Sequence, residues 1–131
     1  MSELVQDLSR RVTPLTVSAD IAEAVRLYQA LGFEVVDSGN PGWVGLRAGH
    51  SHQILASKAF MERRFSPWTV AVLLDHTTPY IYVSSLDEAK ARLSDSAAIV
   101  EQSAVVDGSR EAVIDADGLY LVLAEKVEGG E

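Results

Sequence analysis

The 131-residue chain is 47% hydrophobic, carries a formal charge of −8 from 11 Lys and Arg against 19 Asp and Glu, and contains no cysteine. A disulfide framework, a thiolate nucleophile and a thiolate metal site are therefore excluded, and the acidic balance argues against nucleic acid as a partner because it repels phosphate backbones. One domain with a buried core fits this length, no run approaches the roughly 18 apolar residues of a membrane span, and the opening Met1-Ser2-Glu3-Leu4-Val5-Gln6-Asp7 has no signal-like apolar stretch, so a cytoplasmic protein is expected.

Residues 2–11 offer a little apolar surface at Leu4, Val5 and Leu8 and read as an amphipathic turn or a frayed end. Residues 12–18 alternate, with Leu15 and Val17 apolar and Thr16 and Ser18 polar, which is the period of a half-buried strand; Pro14 puts it at an edge or an interface. Asp20 followed by Glu23 makes a capping-box pattern for a helix whose buried stripe is Ile21, Ala24, Val25, Tyr28 and Leu31, and Gly32 ends it. A strand is expected over residues 33–37, a turn over 38–42, a third strand over 43–48 and a fourth over 51–57. In the third strand Val44 and Leu46 share one face, and Trp43, Gly45 and Arg47 share the other. The connector, residues 58–77, contains Trp68-Thr69-Val70-Ala71-Val72-Leu73-Leu74, which is too apolar for an exposed linker and reads either as an extra strand or as a buried crossing segment.

The second half repeats the first. Thr13-Pro14 lies over Thr78-Pro79, and at the same offset of 65 Ile21 falls on Leu86, Glu23 on Glu88 and Ala24 on Ala89. Residues 79–83 are a strand, 85–93 a helix capped by Ser85 with Glu88 at its third position, and 97–106 a strand. A turn at Asp107-Gly108 leads to a strand over 110–114, and the tight turn Asp115-Ala116-Asp117-Gly118 leads to a last strand over 119–124, with a polar, Gly-rich tail expected to be disordered over 127–131. The organisation is a single domain over 1–131 made of module 1 (about 12–57), a connector (58–77) and module 2 (about 78–126). The fold class is α+β: two tandem β-α-β-β-β modules forming a cup-shaped, curved mixed sheet with helices on its convex side.

The pleat places the aromatic residues of module 2. Ile81 and Val83 are suited to pack under the helix residues Leu86, Ala89 and Leu93, which sends Tyr80 and Tyr82 together to the opposite face. Trp43, and Tyr120 in phase with Val122, can join that wall, and Arg47 shares the face of Trp43. Aromatic walls of this kind bind flat or cationic ligands. Of the other candidates, His50 and His52 are two residues apart and His76 is the remaining imidazole, a set read as loop and strand-edge histidines without a common focus. Asp115 and Asp117 flank a turn and read as turn chemistry, not as an acid/base pair.

The double module resembles the vicinal oxygen chelate superfamily of glyoxalases, extradiol dioxygenases and bleomycin-resistance proteins. The residues that carry the likeness are Pro14, Asp20-Ile21-Ala22-Glu23-Ala24-Val25-Arg26-Leu27-Tyr28, Leu31-Gly32-Phe33 and Asp115-Ala116-Asp117-Gly118-Leu119-Tyr120-Leu121. In the enzymes of that superfamily His and Glu hold a divalent metal at four cup-facing positions. Here the resemblance lays those positions on Thr13 (or Val12), Gln53, Thr78 and Val122, none of them a His or a carboxylate. It therefore implies a metal-free and cofactor-free protein of the bleomycin-resistance kind, whose Tyr80-x-Tyr82 resembles the paired aromatics with which such proteins stack planar rings. Trp43, Arg47, Gln53, Thr78, Tyr80, Tyr82 and Tyr120 are the expected ligand-binding residues. The expected partners are an antibiotic or another planar or cationic small molecule, and a second copy of the chain in a homodimer. The alternative is a metal-dependent lyase or dioxygenase with a non-standard metal site.

Overall fold

Each copy of the repeat opens its helix with a side-chain cap at the same place. Asp20 Oδ1 accepts the Glu23 N–H at 3.1 Å, and at the equivalent position of the second copy Ser85 Oγ accepts the Glu88 N–H at 3.0 Å. Such caps satisfy N–H groups that have no partner within the helix. The computed structural model describes residues 8–93, 97–106 and 108–127. Its elements are β1 (Ser9–Ser18), α1 (Ile21–Ala30), β2 (Glu34–Asn40), β3 (Trp43–Ala48), β4 (Ser51–Ser57), α2 (Lys58–Glu62), α3 (Pro67–Leu73), β5 (Thr77–Val83), α4 (Leu86–Leu93), β6 (Ala98–Gln102), β7 (Ser109–Ala116) and β8 (Leu119–Lys126). The chain is α+β with mixed pairing: β1 is parallel to β4 and β5 to β8, and the β2–β3, β3–β4, β6–β7 and β7–β8 pairs are antiparallel. Residues 2–7 of the expected amphipathic turn, Asp107 and the tail from 128 onward lie outside the described residues.

The chain divides into two compact units, Thr13–Thr78 and Met1–Val12 with Pro79–Glu131. In the first, the strand order is β2-β3-β4-β1, and α1 lays Ile21, Ala24, Val25 and Tyr28 over Val44, Leu46 and Leu55. The helix ends as expected at Gly32, whose φ of 99° only a residue without Cβ adopts cheaply. There the Gly32 N–H donates to Gln29 O at 3.0 Å and the Phe33 N–H to Tyr28 O at 3.1 Å, while the Phe33 and Tyr28 rings meet edge-on at 5.0 Å. Two details depart from expectation. Leu31 is 71% exposed instead of buried, because it sits at the C-cap after the last helical turn. Glu23 pairs with Arg26, and the Asp20 N–H goes to Ser18 Oγ, so the capping box is only half made.

The apolar run of the connector is a helix, not a strand. Pro67 at the first helical position pre-sets φ, and Thr69, Val70 and Leu73 fall on one buried face of α3, so helical spacing prevails over the β-branched composition. β2 also runs further than expected, to Asn40, whose side chain accepts the Gly42 N–H at 2.8 Å and closes a shorter turn. A Cβ on Gly42 would lie 2.9 Å from both Phe60 Cβ and Ser57 Oγ, which leaves no room for a side chain there.

In the second unit the order is β5-β8-β7-β6, with Val83, Leu86, Ala89, Ala112, Ile114 and Leu123 buried together and Ile81 and Leu93 packed against them. β1 begins at Ser9, earlier than its period-two pattern, and beside it the Ser84 N–H donates to Leu8 O at 2.9 Å. β6 is shorter than expected because Ser103 turns its hydroxyl onto the Glu111 N–H, after which the chain leaves the ladder. Asp115 Oδ1 accepts the Gly118 N–H at 2.8 Å, and positive φ at Asp117 and Gly118 closes the β7–β8 hairpin, as expected of turn chemistry.

Glu125 ties this unit to its helix. Its Oε1 accepts the Leu86 N–H at 2.8 Å at the start of α4 and the Arg110 guanidinium at 2.9 Å. The Leu86 N–H, and after it Arg110, hold the carboxyl below its ordinary value. A carboxylate depressed in the folded state contributes stability that is present above its unfolded value near 4.5 and is lost as the pH falls through the folded one. Glu125→Gln is therefore expected to cost about 1–2 kcal/mol at neutral pH. Urea melts at stepped pH should show the gap from the parent protein narrowing as the medium is acidified below that value.

Candidate functional site

The face of β5 away from α4 carries Tyr80 and Tyr82, as the pleat requires once Ile81 and Val83 pack with the helix. Register extends this face across the neighbouring strands: Tyr80 lies opposite Val122 and Val122 opposite Val113, and Tyr82 lies opposite Ala124 and Ala124 opposite Glu111. Tyr120 is in phase with Val122 on β8 and lies opposite Asp115, part-exposed.

The two tyrosines do different jobs. Tyr80 is 3% exposed, and its hydroxyl donates to Glu111 Oε2, a carboxylate that is itself 3% exposed. Burying a carboxylate is costly unless it is hydrogen-bonded, so this phenol is held by the interior. Tyr82 stands edge-on to Tyr80 with ring centroids 5.1 Å apart and is only half-buried. The Arg11 guanidinium lies 4.6 Å from the centre of its ring. Where β5 ends, a recess of about 290 Å³ is lined by Arg10, Tyr82, Val83, Ser84, Ala124 and Lys126. Neither Arg10 nor Lys126 forms an ion pair among the described residues.

The remaining expected residues belong to the other unit and are engaged there. Trp43 is on the face opposite Val44 and Leu46, with its ring 5.3 Å from that of Phe60, over which the Arg64 guanidinium sits at 4.2 Å. Arg47 pairs with Glu34 on the adjacent strand, so the carboxylate it clamps is this chain's own. Thr78 is buried. Gln53 donates to Thr16 Oγ1 at 3.0 Å and to Ile54 O at 2.9 Å, and lies opposite Leu46, on the side that α1 covers.

That last placement bears on metal binding. Leu15 pairs with Ile54 in one parallel ladder and Tyr80 with Val122 in the other, and Leu15 and Tyr80 are equivalent in the repeat. The counterpart of Val122 is therefore Ile54, and Gln53 points to the other side, a one-residue difference that inverts the face. The positions concerned offer only threonine hydroxyls or aliphatic side chains, Thr13, Thr78 and Ile54 in one unit and Val122 in the other, and none of these is a ligand suited to a divalent transition metal. His50, His52 and His76 are each exposed, and no group of three or more His, Asp or Glu among the described residues is placed to share an ion.

Sequence reasoning missed Arg10, Arg11, Glu111 and Lys126. Glu111 left one signal, a carboxylate at the phase of Val113 directly before the apolar run Ala112-Val113-Ile114.

Two β-α-β-β-β modules, each pairing its first strand in parallel with its last, define the fold of the glyoxalase/bleomycin resistance protein/dioxygenase superfamily, the vicinal oxygen chelate fold. Solved structures carry that likeness. A hypothetical protein from Bacillus halodurans C-125 is similar at TM-score 0.62 and 16% identity over 94% of this chain and 98% of that one. A member of the superfamily from Vibrio splendidus 12B01 matches at TM-score 0.57 and 16% identity over 88% and 98%. Methylmalonyl-CoA epimerase from Mycobacterium tuberculosis matches at TM-score 0.56 and 21% identity over 92% and 88%. No protein-family model and no curated protein matches the sequence.

Because Thr13, Thr78, Ile54 and Val122 offer no suitable ligand, the purified protein is expected to hold well under one equivalent of zinc, nickel, iron or manganese per chain after dialysis. Elemental analysis checks this, and a stoichiometric metal that survives dialysis would contradict it.

Proposed function

We propose that the protein is a metal-free binding protein that takes a small planar molecule against Tyr82. The observation that carries this reading is that half-buried Tyr82 lines a recess and is braced edge-on by a Tyr80 that is fixed to buried Glu111. Such a ring offers area for stacking at little entropic cost, since its neighbours already hold it. Tyr80 acts as the brace, and Arg11 is a second contact that holds the ring. The alternative, a metal-dependent lyase or dioxygenase with a non-standard metal site, needs ligands elsewhere, and no group of three or more His, Asp or Glu among the described residues is placed to share an ion. Sequestration of an antibiotic or a similar flat compound, by a cytoplasmic homodimer, completes the reading. Sedimentation showing only 14.2 kDa species at tens of micromolar would remove the dimer from it.

A ligand that binds only the folded state raises its melting temperature, so a thermal-shift panel of flat aromatic compounds tests the assignment. Tyr82→Ala is expected to abolish the shift at a cost of about 1–2 kcal/mol in ligand-free stability, the worth of its edge contact with Tyr80 and its partial burial. Tyr80→Phe removes a donor from a buried carboxylate and is expected to cost about 1–3 kcal/mol in stability while the shift persists. The reverse pattern, with Tyr82 needed for folding and Tyr80 for binding, would overturn the assignment.

A further inference from the structure

The charged side chains among the described residues that line this site are opposite in sign to the chain as a whole. Against a formal −8 overall, the recess is lined by Arg10 and Lys126, with the Ser84 hydroxyl beside them, and Arg11 lies over the adjoining Tyr82 ring. Among the described residues, two carboxylates on the neighbouring strands are already engaged: Glu125 by Arg110 and the Leu86 N–H, and Glu111 by Tyr80. A cationic ligand, one of the two kinds an aromatic wall accepts, would meet like charge here. The global balance says little about one recess, because charges more than about 10 Å apart are largely screened at moderate salt.

We infer that the ligand is a planar aromatic anion, its ring against Tyr82 and its oxyanion, carboxylate or phosphate, in the recess lined by Arg10, Lys126 and Ser84. This rests on the planar-ligand reading above and specifies the ligand class for the same site. An oxyanion suits these groups because guanidinium and ammonium donors form charge-assisted hydrogen bonds with it, and those are about twice as strong as neutral ones. The recess volume of about 290 Å³ is at the small end of ligand sites, which suits a molecule of one or two rings. Arg11 then serves twice, holding the Tyr82 ring in place and adding to the positive field beside it.

The test is calorimetric titration of the full chain with naphthoate, naphthyl phosphate and naphthylmethylamine, which share a ring system and differ in charge. At least one anion is expected to bind, and the amine to bind at least about tenfold more weakly. Arg10→Gln and Lys126→Gln change exposed residues and should each weaken the anion by about tenfold without altering the melting temperature. If the amine binds as well as the anions, or if both charge variants leave anion affinity unchanged, this inference falls and the planar-ligand reading survives. If none of the three compounds binds, both fall.

Discussion

The buried bond between Tyr80 and Glu111 is the constraint on which the site depends. A carboxylate removed from water costs several kcal/mol unless a donor meets it, and the Tyr80 hydroxyl is that donor. The bond reaches diagonally across β8, because Tyr80 lies opposite Val122 while Glu111 lies opposite Ala124. It fixes the first tyrosine of the pair in the interior and leaves the second, two residues on, at the edge of the same face. Tyr82 then meets the Tyr80 ring edge-on and has the Arg11 guanidinium 4.6 Å from its ring centre.

The two modules share a plan and differ in what they put on this face. At the positions of Tyr80 and Tyr82 the first module has Leu15 and Val17, both buried, opposite Ile54 and Ala56. One copy of the repeat thus keeps an aliphatic face and the other carries two phenols and a carboxylate. Aliphatic packing adds stability without selectivity, whereas oriented polar and aromatic groups discriminate between ligands. On the last strands the equivalent positions hold Ile54 and Val122, which have no lone pairs to offer a metal.

What was legible in the sequence was local. The offset repeat, the caps at Asp20 and Ser85, the stop at Gly32 and the Asp115–Gly118 hairpin are each decided by a few adjacent residues, and the structure contains all of them. The alternation that turns Tyr80 and Tyr82 away from α4 was equally readable, since period two is intrinsic to a strand. What was not legible depends on pairing. Gln53 was assigned to the wrong face because the register of β1 against β4 is a tertiary fact, and one step along a strand inverts the side chain. The run Trp68–Leu74 could not be typed from composition, because burial on one side of a short helix selected its conformation. Arg10, Arg11 and Lys126 carry no signal of their own in the sequence, because only the fold brings the start of β1 beside the ends of β5 and β8.

The central claim is that Tyr82 is the ring that touches ligand and Tyr80 the ring that supports it. Nuclear magnetic resonance of the protein with carbon-labelled tyrosine rings, titrated with naphthoate, tests this directly, since the chain has only four tyrosines. The account predicts that the Tyr82 ring signals move progressively to saturation while those of Tyr80 hold near their ligand-free positions, fixed by Glu111. Saturable shifts confined to Tyr28 or Tyr120, with Tyr82 unmoved, would contradict it.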